Sequence, residues 1–493
     1  MLGLYPADAV RRAEDHLLAR VPAGSLMQVA SRGLATHIIR LLGDVRGGVV
    51  GARVVLLVGS GNNGGDALFA GAYLLGRGAE VVAVAAAEGR HDDGDRAFQR
   101  AGGRWIDPVD AADAMALADV IVDGIVGIGA RGGLRDPARA LVENANAMGG
   151  LRIAVDLPSG IDVDDGSVDG VAFRADMTVT FGCFKPGQFR HPGCDYCGAV
   201  HLVDIGLGED LPEPAIRMVE VLDVADLFRV PEASAHKYRR GVVGIAAGSS
   251  SYPGAAVLAA GAARYSGVGM VRFLDRGDAV ARDVVAAFPD VVADPGDART
   301  DSRVRAWACG PGFTASDAQT VAMVLEQPTP VVLDAGALSC LSTRDDLRER
   351  VRTRADGGLT TILTPHAGEY AALFGPDRDP ASVSLEWGVI VARKGPTTTV
   401  TAPDGTVYVD AMGTSDLAYA GSGDVLTGLM AGMLAADPDD DPAEVVAAAV
   451  WLHGLSGRLA SRDERPITAM DIRAAIPEAI AITRAGDLSK LRA

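Results

Sequence analysis

The chain is short of cysteine, of aromatic residues and of positive charge, and each shortage removes a class of protein. Five cysteines in 493 residues are too few, and odd in number, for a disulfide framework. Cys194 and Cys197 form one C-x-x-C, with Cys183 and His191 just upstream. A closed zinc site usually needs a second knuckle, and Pro192-Gly193 between these residues reads as a turn. The pair is therefore expected to be a reduced structural turn, holding neither zinc nor a disulfide. Lys and Arg number 46 against 64 Asp and Glu, a formal charge of −18, which argues against a nucleic-acid or anionic-membrane surface. No stretch reaches the ~18 uninterrupted apolar residues of a spanning helix. Met1 to Arg12 has no apolar core of the signal-peptide kind. A soluble cytoplasmic protein, partnered by neither nucleic acid nor membrane, is expected.

What is present is small and aliphatic. Hydrophobic residues make up 48% with only 5% aromatic, and there are 61 Gly, a composition suited to α/β layers built from Ala, Val and Gly. The length exceeds one ordinary core and implies two or three domains. The first half alternates apolar β-branched runs with helical patterns. Strands are expected at 53–58, 80–86, 120–125, 152–157, 177–181 and 199–205, and helices at 66–77 and 137–148. That rhythm predicts a doubly wound parallel sheet with ligands at the carboxyl ends of its strands. The Pro- and Glu-containing stretch from Leu211 to Glu232 reads as a connection, and the boundary is placed at 218/219. The alternation then restarts. Strands are expected at 241–247, 270–274, 331–334, 361–364 and 389–394, with a hairpin at 398–410. Helices are expected at 253–266, 423–435 and 442–460, and no internal sequence repeat is visible.

Two glycine-rich loops differ in spelling and serve different halves. Gly61-Asn62-Asn63-Gly64-Gly65-Asp66 offers glycines for positive φ and close backbone approach to a phosphate. Its Asn side chains can supply carbonyl oxygens to a hard cation, and Asp66 can cap the helix that follows. A plain βα turn with a capping Asp would need no more. Two further loops favour a ligand: Asp123-Gly124-Ile125-Val126-Gly127-Ile128-Gly129-Ala130-Arg131-Gly132-Gly133, and Val155-Asp156-Leu157-Pro158-Ser159-Gly160. Together the three offer Asn63, Asp123 and Ser159 as oxygen ligands. In the second half, Ala420-Gly421-Ser422-Gly423-Asp424 places a carboxylate at a helix start beside free N–H donors, which suits phosphoryl chemistry. Around it stand Gly310-Pro311-Gly312, Thr364-Pro365-His366-Ala367-Gly368-Glu369 and Lys394-Gly395-Pro396-Thr397-Thr398. His366 alone would read as a capping or core histidine. Four loops in series do not read as coincidence.

The first set, with Leu26-Met27 and Phe181-Gly182-Cys183-Phe184-Lys185-Pro186-Gly187, resembles the YjeF-type epimerase domain of the bifunctional NAD(P)H-hydrate repair enzymes. The second set, with His236 to Gly241, Ala247-Gly248-Ser249 and Tyr252 to Ala256, resembles the ADP-dependent dehydratase domain of the same family. The resemblance implies a Rossmann-like doubly wound sheet at 1–218 and a ribokinase-like α/β domain at 219–493. It implies an isomerase that interconverts the R and S hydrates of NADH or NADPH, fused to a carbon–oxygen lyase. The lyase dehydrates the S form while ADP becomes AMP and phosphate.

By the same resemblance, the hydrate meets Asn62, Asn63, Gly64, Gly65 and Asp66, then Gly127 to Gly133, then Asp156. Potassium sits on Asn63, Asp123 and Ser159, and Asp156 is the acid/base candidate. In the lyase, Ala255, Gly312, His366 and Asp424 contact the hydrate. Lys394, Gly395, Pro396, Thr397, Thr398 and Gly423 hold the nucleotide, Asp424 is the base, and magnesium accompanies ADP. A homo-oligomer is expected. Three positions depart from the family pattern: Ala67 and Gly336, where Gly and Asp are usual, and Gly413-Thr414-Ser415-Asp416-Leu417 in place of a Gly-Asn-Pro-Gly spelling. The competing reading is a kinase for a sugar or vitamin precursor behind a non-catalytic nucleotide-binding module. The three N-terminal loops argue against it.

Overall fold

A computed structural model describes residues 1–129, 132–228, 236–277, 279–295, 303–486 and 488. The chain divides into two compact units, one of Gly3–Ala215 and one of Ile216–Ala493 together with Met1–Leu2. The expected connection at 211–232 carries a strand, Ile216–Met218, and a helix, Val221–Leu227. The strand pairs with Val407–Val409 of the second unit, and residues 229–232 lie outside the described residues. The signal missed there was weak: three strand residues, then one short helix.

The first unit holds a seven-stranded sheet, parallel throughout. Numbered along the chain, its strands are Arg53–Val58, Glu80–Ala85, Arg104–Ile106, Val120–Gly124, Leu151–Val155, Met177–Phe181 and Ala199–Val203. They lie in the order 3-2-1-4-5-6-7. The second unit repeats that order without repeating the sequence. Its first seven strands after Ile216–Met218 are Val242–Ala246, Met270–Asp275, Val292–Pro295, Ala306–Cys309, Val331–Leu333, Thr361–Leu363 and Ile390–Arg393, again 3-2-1-4-5-6-7 and parallel. The expected hairpin, Thr399–Thr401 with Val407–Val409, then adds two antiparallel strands.

The central strands are buried on both faces. Arg53–Val58 is exposed only at Arg53, and all five residues of Val120–Gly124 and of Val242–Ala246 are buried. Uninterrupted apolar runs of this kind belong to a sheet covered by helices on both sides. The first strand therefore contributes to two cores, Val54, Leu56 and Val58 on one face and Val55 and Leu57 on the other. In each unit, strands 1 and 4 are neighbours whose crossovers leave in opposite directions. Their carboxyl ends make the crevice in which open α/β sheets bind ligands.

Candidate active sites

In the first unit the loops after strands 1 and 4 touch. The N–H of Gly59 donates to the carbonyl of Gly124 at 3.0 Å. A Cβ on Gly59 would stand 1.9 Å from the Ile125 carbonyl oxygen, and one on Gly64 would stand 2.1 Å from that of Gly59. Close approach is therefore what these glycines provide. Positive φ is not: Gly61 has φ −92°, and Gly64 and Gly65 lie inside the helix Asn62–Gly76. The expected helix start at Asp66 is corrected in the same way. The helix begins four residues earlier, its N-cap is Gly61, and Asp66 points into the interior as a non-capping residue, 8% exposed. The first-turn N–H groups of Asn62, Asn63 and Gly64 have no intrahelical acceptor and face the crevice end. Ala67 lies in the core, where its methyl faces the space left by the absent side chain of Gly124.

Asp123 closes strand 4 and is fully buried. It accepts from Ser159 Oγ and from Ser159 N, both at 2.7 Å, and from Ile125 N at 3.1 Å. No cation stands against it, and burial pushes its carboxyl up to about 6 despite those three donors. Asn63 is buried, its Oδ1 lies beside Gly127, and its Nδ2 has no partner. Of the other expected ligand residues, Ile128 offers its carbonyl to Arg11 at 2.6 Å, and Gly133 N–H donates to Asp169 at 3.3 Å. Ala130 and Arg131 lie outside the described residues.

Asp156 follows strand 5 with φ +64°, a left-handed conformation that a non-glycine residue adopts only at a cost. The surroundings hold it there. Gln188 Nε2 donates to its carbonyl at 2.9 Å. Its Oδ1 accepts from Lys185 Nζ at 2.6 Å, Thr180 Oγ1 at 3.0 Å and Phe181 N at 3.2 Å. Lys185 is 1% exposed. Its remaining donors reach Thr180 Oγ1 and the Phe181 carbonyl, both at 2.9 Å. Sequence reasoning noted Lys185 only as a letter in a motif. A lone lysine carries no pattern, and only the fold brings it to strand 5.

In the second unit the same two loops meet again. Gly248 N–H donates to the Pro311 carbonyl at 2.7 Å and Gly310 N–H to that of Ala246 at 3.1 Å. A Cβ on Gly312, whose φ is +69°, would be 2.8 Å from the Ala255 Cβ, so these two predicted residues are neighbours. Lys394 follows strand 7, and its Nζ donates to Asp334 Oδ1 at 2.6 Å. Asp334, 1% exposed, also accepts from Thr427 Oγ1 at 2.7 Å. Burial lowers the Lys394 pKa, but Asp334, with Glu369 and Asp424 behind it, more than reverses this and raises it. Asp334 escaped the sequence reading, which looked for a carboxylate at 336. A side chain there is excluded, because a Cβ on Gly336 would be 2.3 Å from the Phe313 carbonyl oxygen.

The helix Ser422–Ala436 starts after Gly421, whose φ is +89°. Gly423 lets its first turn approach the lysine pair: a Cβ there would be 3.3 Å from Lys394 Nζ. Asp424 stands in that turn without an ion-pair partner among the described residues. Burial, then the charge of Asp334, push its carboxyl up to about 6 against the pull of Lys394. Beneath the loop, buried His453 lies 3.2 Å from Ser422 Oγ, and burial pushes its imidazole down to about 4. His366 caps the helix Ala367–Phe374: its Nδ1 accepts from Gly368 N at 3.0 Å and Glu369 N at 3.3 Å. That assigns the ring proton to Nε2, on an exposed edge. Gly395 and Pro396 are exposed, and the Thr398 carbonyl accepts from Asp410 N at 3.0 Å.

Cys197 is buried, its thiol pushed well up by burial, and Cys194 is half-buried. Among the described residues, no group of three or more His, Cys, Asp or Glu could hold a metal ion.

Two doubly wound units, each bringing glycine-rich loops and a buried or half-buried carboxylate together at its switch point, have the architecture of enzymes that bind nucleotide-like ligands. Residues 23–187 match the family model described as YjeF-related protein N-terminus, and residues 243–478 that described as NAD(P)H-hydrate dehydratase. The bifunctional NAD(P)H-hydrate repair enzyme Nnr of Mycobacterium leprae is 43% identical over 471 residues, 94% of this chain and 95% of that one. That of Mycobacterium tuberculosis is 43% identical over 440 residues, 87% and 89% of the two chains. Among solved structures, the ADP/ATP-dependent NAD(P)H-hydrate dehydratase of Bacillus subtilis, co-crystallised with ATP/Mg2+, aligns at TM-score 0.45 and 28% identity. It covers 53% of this chain and 96% of its own. The chain belongs to the bifunctional NAD(P)H-hydrate repair enzymes.

Proposed function

We infer that the chain restores hydrated nicotinamide cofactors in two steps, epimerising R and S hydrates in its first unit and dehydrating the S hydrate in its second. The observation that carries this reading is the repetition of one switch-point strand order in two units of a chain that matches bifunctional relatives over nearly its whole length. The kinase alternative leaves the first site without a purpose.

In the dehydratase, Asp424 accepts the proton of the substrate hydroxyl as that oxygen attacks the terminal phosphoryl of ADP. AMP departs; phosphate then leaves with the oxygen, its bonding pair going with it, and the neighbouring ring carbon releases a proton to solvent as the ring double bond forms. A carboxyl near 6 is ionised at neutral pH yet basic enough to take a proton. The first-turn N–H groups of Gly423 and Asp424 receive charge developing on the phosphoryl oxygens. Lys394 and the loop to Thr398 hold the nucleotide, with Ala255, Gly312 and His366 on the hydrate. Magnesium accompanies the nucleotide and supplies further charge neutralisation.

In the epimerase, Asn62 to Asp66, Gly127 to Gly133 and Asp156 surround the hydrate. Asn63, Asp123 and Ser159 fit a monovalent cation. Among the described residues Asp123 is a fully buried carboxyl without a cationic partner, and Asn63 Oδ1, the atom able to offer a lone pair to a cation, lies beside Gly127. One formal charge among three ligands suits potassium better than a divalent ion. The deciding measurement is recovery of NADH absorbance from a mixed R/S hydrate, with ADP and ATP supplied separately. Full recovery supports both activities; recovery of the S fraction alone removes the epimerase, and phosphorylation of a sugar or vitamin precursor in its place restores the kinase reading.

A further inference from the structure

Asp66 is a carboxyl of the first site with one oxygen that no described residue satisfies. It lies in the second turn of Asn62–Gly76, 8% exposed, and its Oδ1 is buried with no hydrogen-bond partner. A buried carboxylate in that position would lack the donors that make charge tolerable. Burial, then the charges of Asp156 and Glu14, push its pKa well above the ordinary value, which favours the neutral form, the one with an O–H to donate. Asp156 is wired in the opposite sense. An ammonium, a hydroxyl and an amide N–H all donate to its Oδ1, which leaves Oδ2 outside those bonds as an acceptor. One carboxyl oxygen without donors and another held by three donors give two carboxyls of one site contrasting surroundings, the arrangement in which such a pair can divide the roles of acid and base.

We propose that Asp66 is a catalytic residue of the epimerase, the proton donor that works against Asp156 as proton acceptor. The proposal rests on the epimerase reading of this unit. Water added across the enamine double bond of a reduced nicotinamide puts the hydroxyl on the carbon bonded to the ring nitrogen. Asp156 takes the hydroxyl proton, and the oxygen's electron pair closes to C=O. The carbon–nitrogen bond breaks, and the nitrogen takes the proton of Asp66. The freed aldehyde turns its other face, and the nitrogen attacks the carbonyl carbon to re-form the bond. Asp66 then recovers the nitrogen's proton, and Asp156 returns its own to the new hydroxyl. No water, oxidant or nucleotide is consumed.

The groups that face this pair are Glu14 from the helix Ala7–Leu18, Lys185, and Cys183, whose thiol is pushed up to about 11 mainly by burial. The test uses the full chain and separated R and S hydrates. Asp66→Asn is expected to lower kcat for epimerisation by at least about 100-fold with KM little changed, while dehydration of pure S hydrate in the same chain is unaltered. A wild-type chain that fails to epimerise overturns the epimerase reading itself. A wild-type chain that epimerises, with an Asp66→Asn chain of equal kcat, overturns the proposal alone. Should Asp66→Asn fail to hold its fold by circular dichroism, Glu14→Gln decides. Removing that negative charge is expected to move the alkaline limb of the epimerase rate to lower pH, and an unmoved limb counts against Asp66 as the donor.

Discussion

Both units set a lysine against a buried aspartate at the carboxyl ends of their strands, but the lysine holds a different carboxylate in each. In the first unit Lys185 sits on Asp156, the proposed base itself, and Asp66 has an oxygen without a hydrogen-bond partner among the described residues. In the second, Lys394 sits on Asp334 beside the base, and Asp424 is left without its own cation, near 6. The two sheets have one strand order, so the difference does not come from topology. It comes from which loop supplies the lysine. Lys185 follows strand 6 and reaches back to strand 5; Lys394 follows strand 7 and reaches strand 5 across strand 6. A reaction that must pass protons both ways has one carboxyl of each kind. A reaction driven by phosphoryl transfer needs one base and N–H donors.

The largest effect that would break this comparison is chemical. Asp424→Asn is expected to lower dehydration of S hydrate by about 10²–10⁴-fold while R/S interconversion proceeds as in the wild type. Assays on separated epimers check it, and undiminished dehydration would reduce Asp424 to a first-turn carboxylate of no catalytic use. Next, Lys394→Met strands Asp334 as a buried charge and is expected to cost about 3–5 kcal/mol, confined to the second unit. In whatever activity survives, the acid limb near 6 should move to higher pH, because Lys394 lowers the Asp424 pKa. Denaturant unfolding and a pH–rate profile read the two effects.

A smaller effect separates the units by pH. The folded-state value of Asp123, about 6, lies above its ordinary 3.8. The stability it allows is therefore complete below about 4 and is lost as pH rises toward 6, a change of about 3 kcal/mol at ~1.4 kcal/mol per unit. A cation on the ionised carboxylate would offset that loss. Potassium is thus expected to raise the melting temperature of the first unit at pH 8 and to do little at pH 4. Equal stabilisation by a bulky organic cation would exclude the site.

The smallest effect is physical separation. Each unit has its own cores and its own loops, and the strand Ile216–Met218 pairs inside the second. Cleaving between Ala215 and Ile216 should leave two soluble fragments, one epimerising and one dehydrating. Fragments that both lose activity would mean an obligate interface.

Much of this was legible in the sequence, for identifiable reasons. The buried strands 53–58, 120–124 and 177–181 announce themselves as β-branched runs, and the helix Pro442–Ala460 by its Pro start and apolar length. The glycine loops were legible because contacts such as that of Gly59 with Ile125 admit no Cβ. Asp334, Lys185 and His453 were not, because each is one polar residue whose partner comes from a distant strand or helix. Asp66 was read as a cap because its letter suits one. The helix had in fact begun at Asn62, where Asn and Gly do not look helical.

The central claim, two independent sites acting in sequence, meets its most direct test in complementation. R hydrate with ADP is given to chains carrying Asp156→Asn, to chains carrying Asp424→Asn, and to an equal mixture, and the absorbance of NADH is followed. Neither variant alone should exceed the uncatalysed rate, while the mixture should restore NADH completely, because each chain keeps one intact site and the S hydrate diffuses between them. A mixture as inactive as its parts, beside an active wild type, would contradict the account.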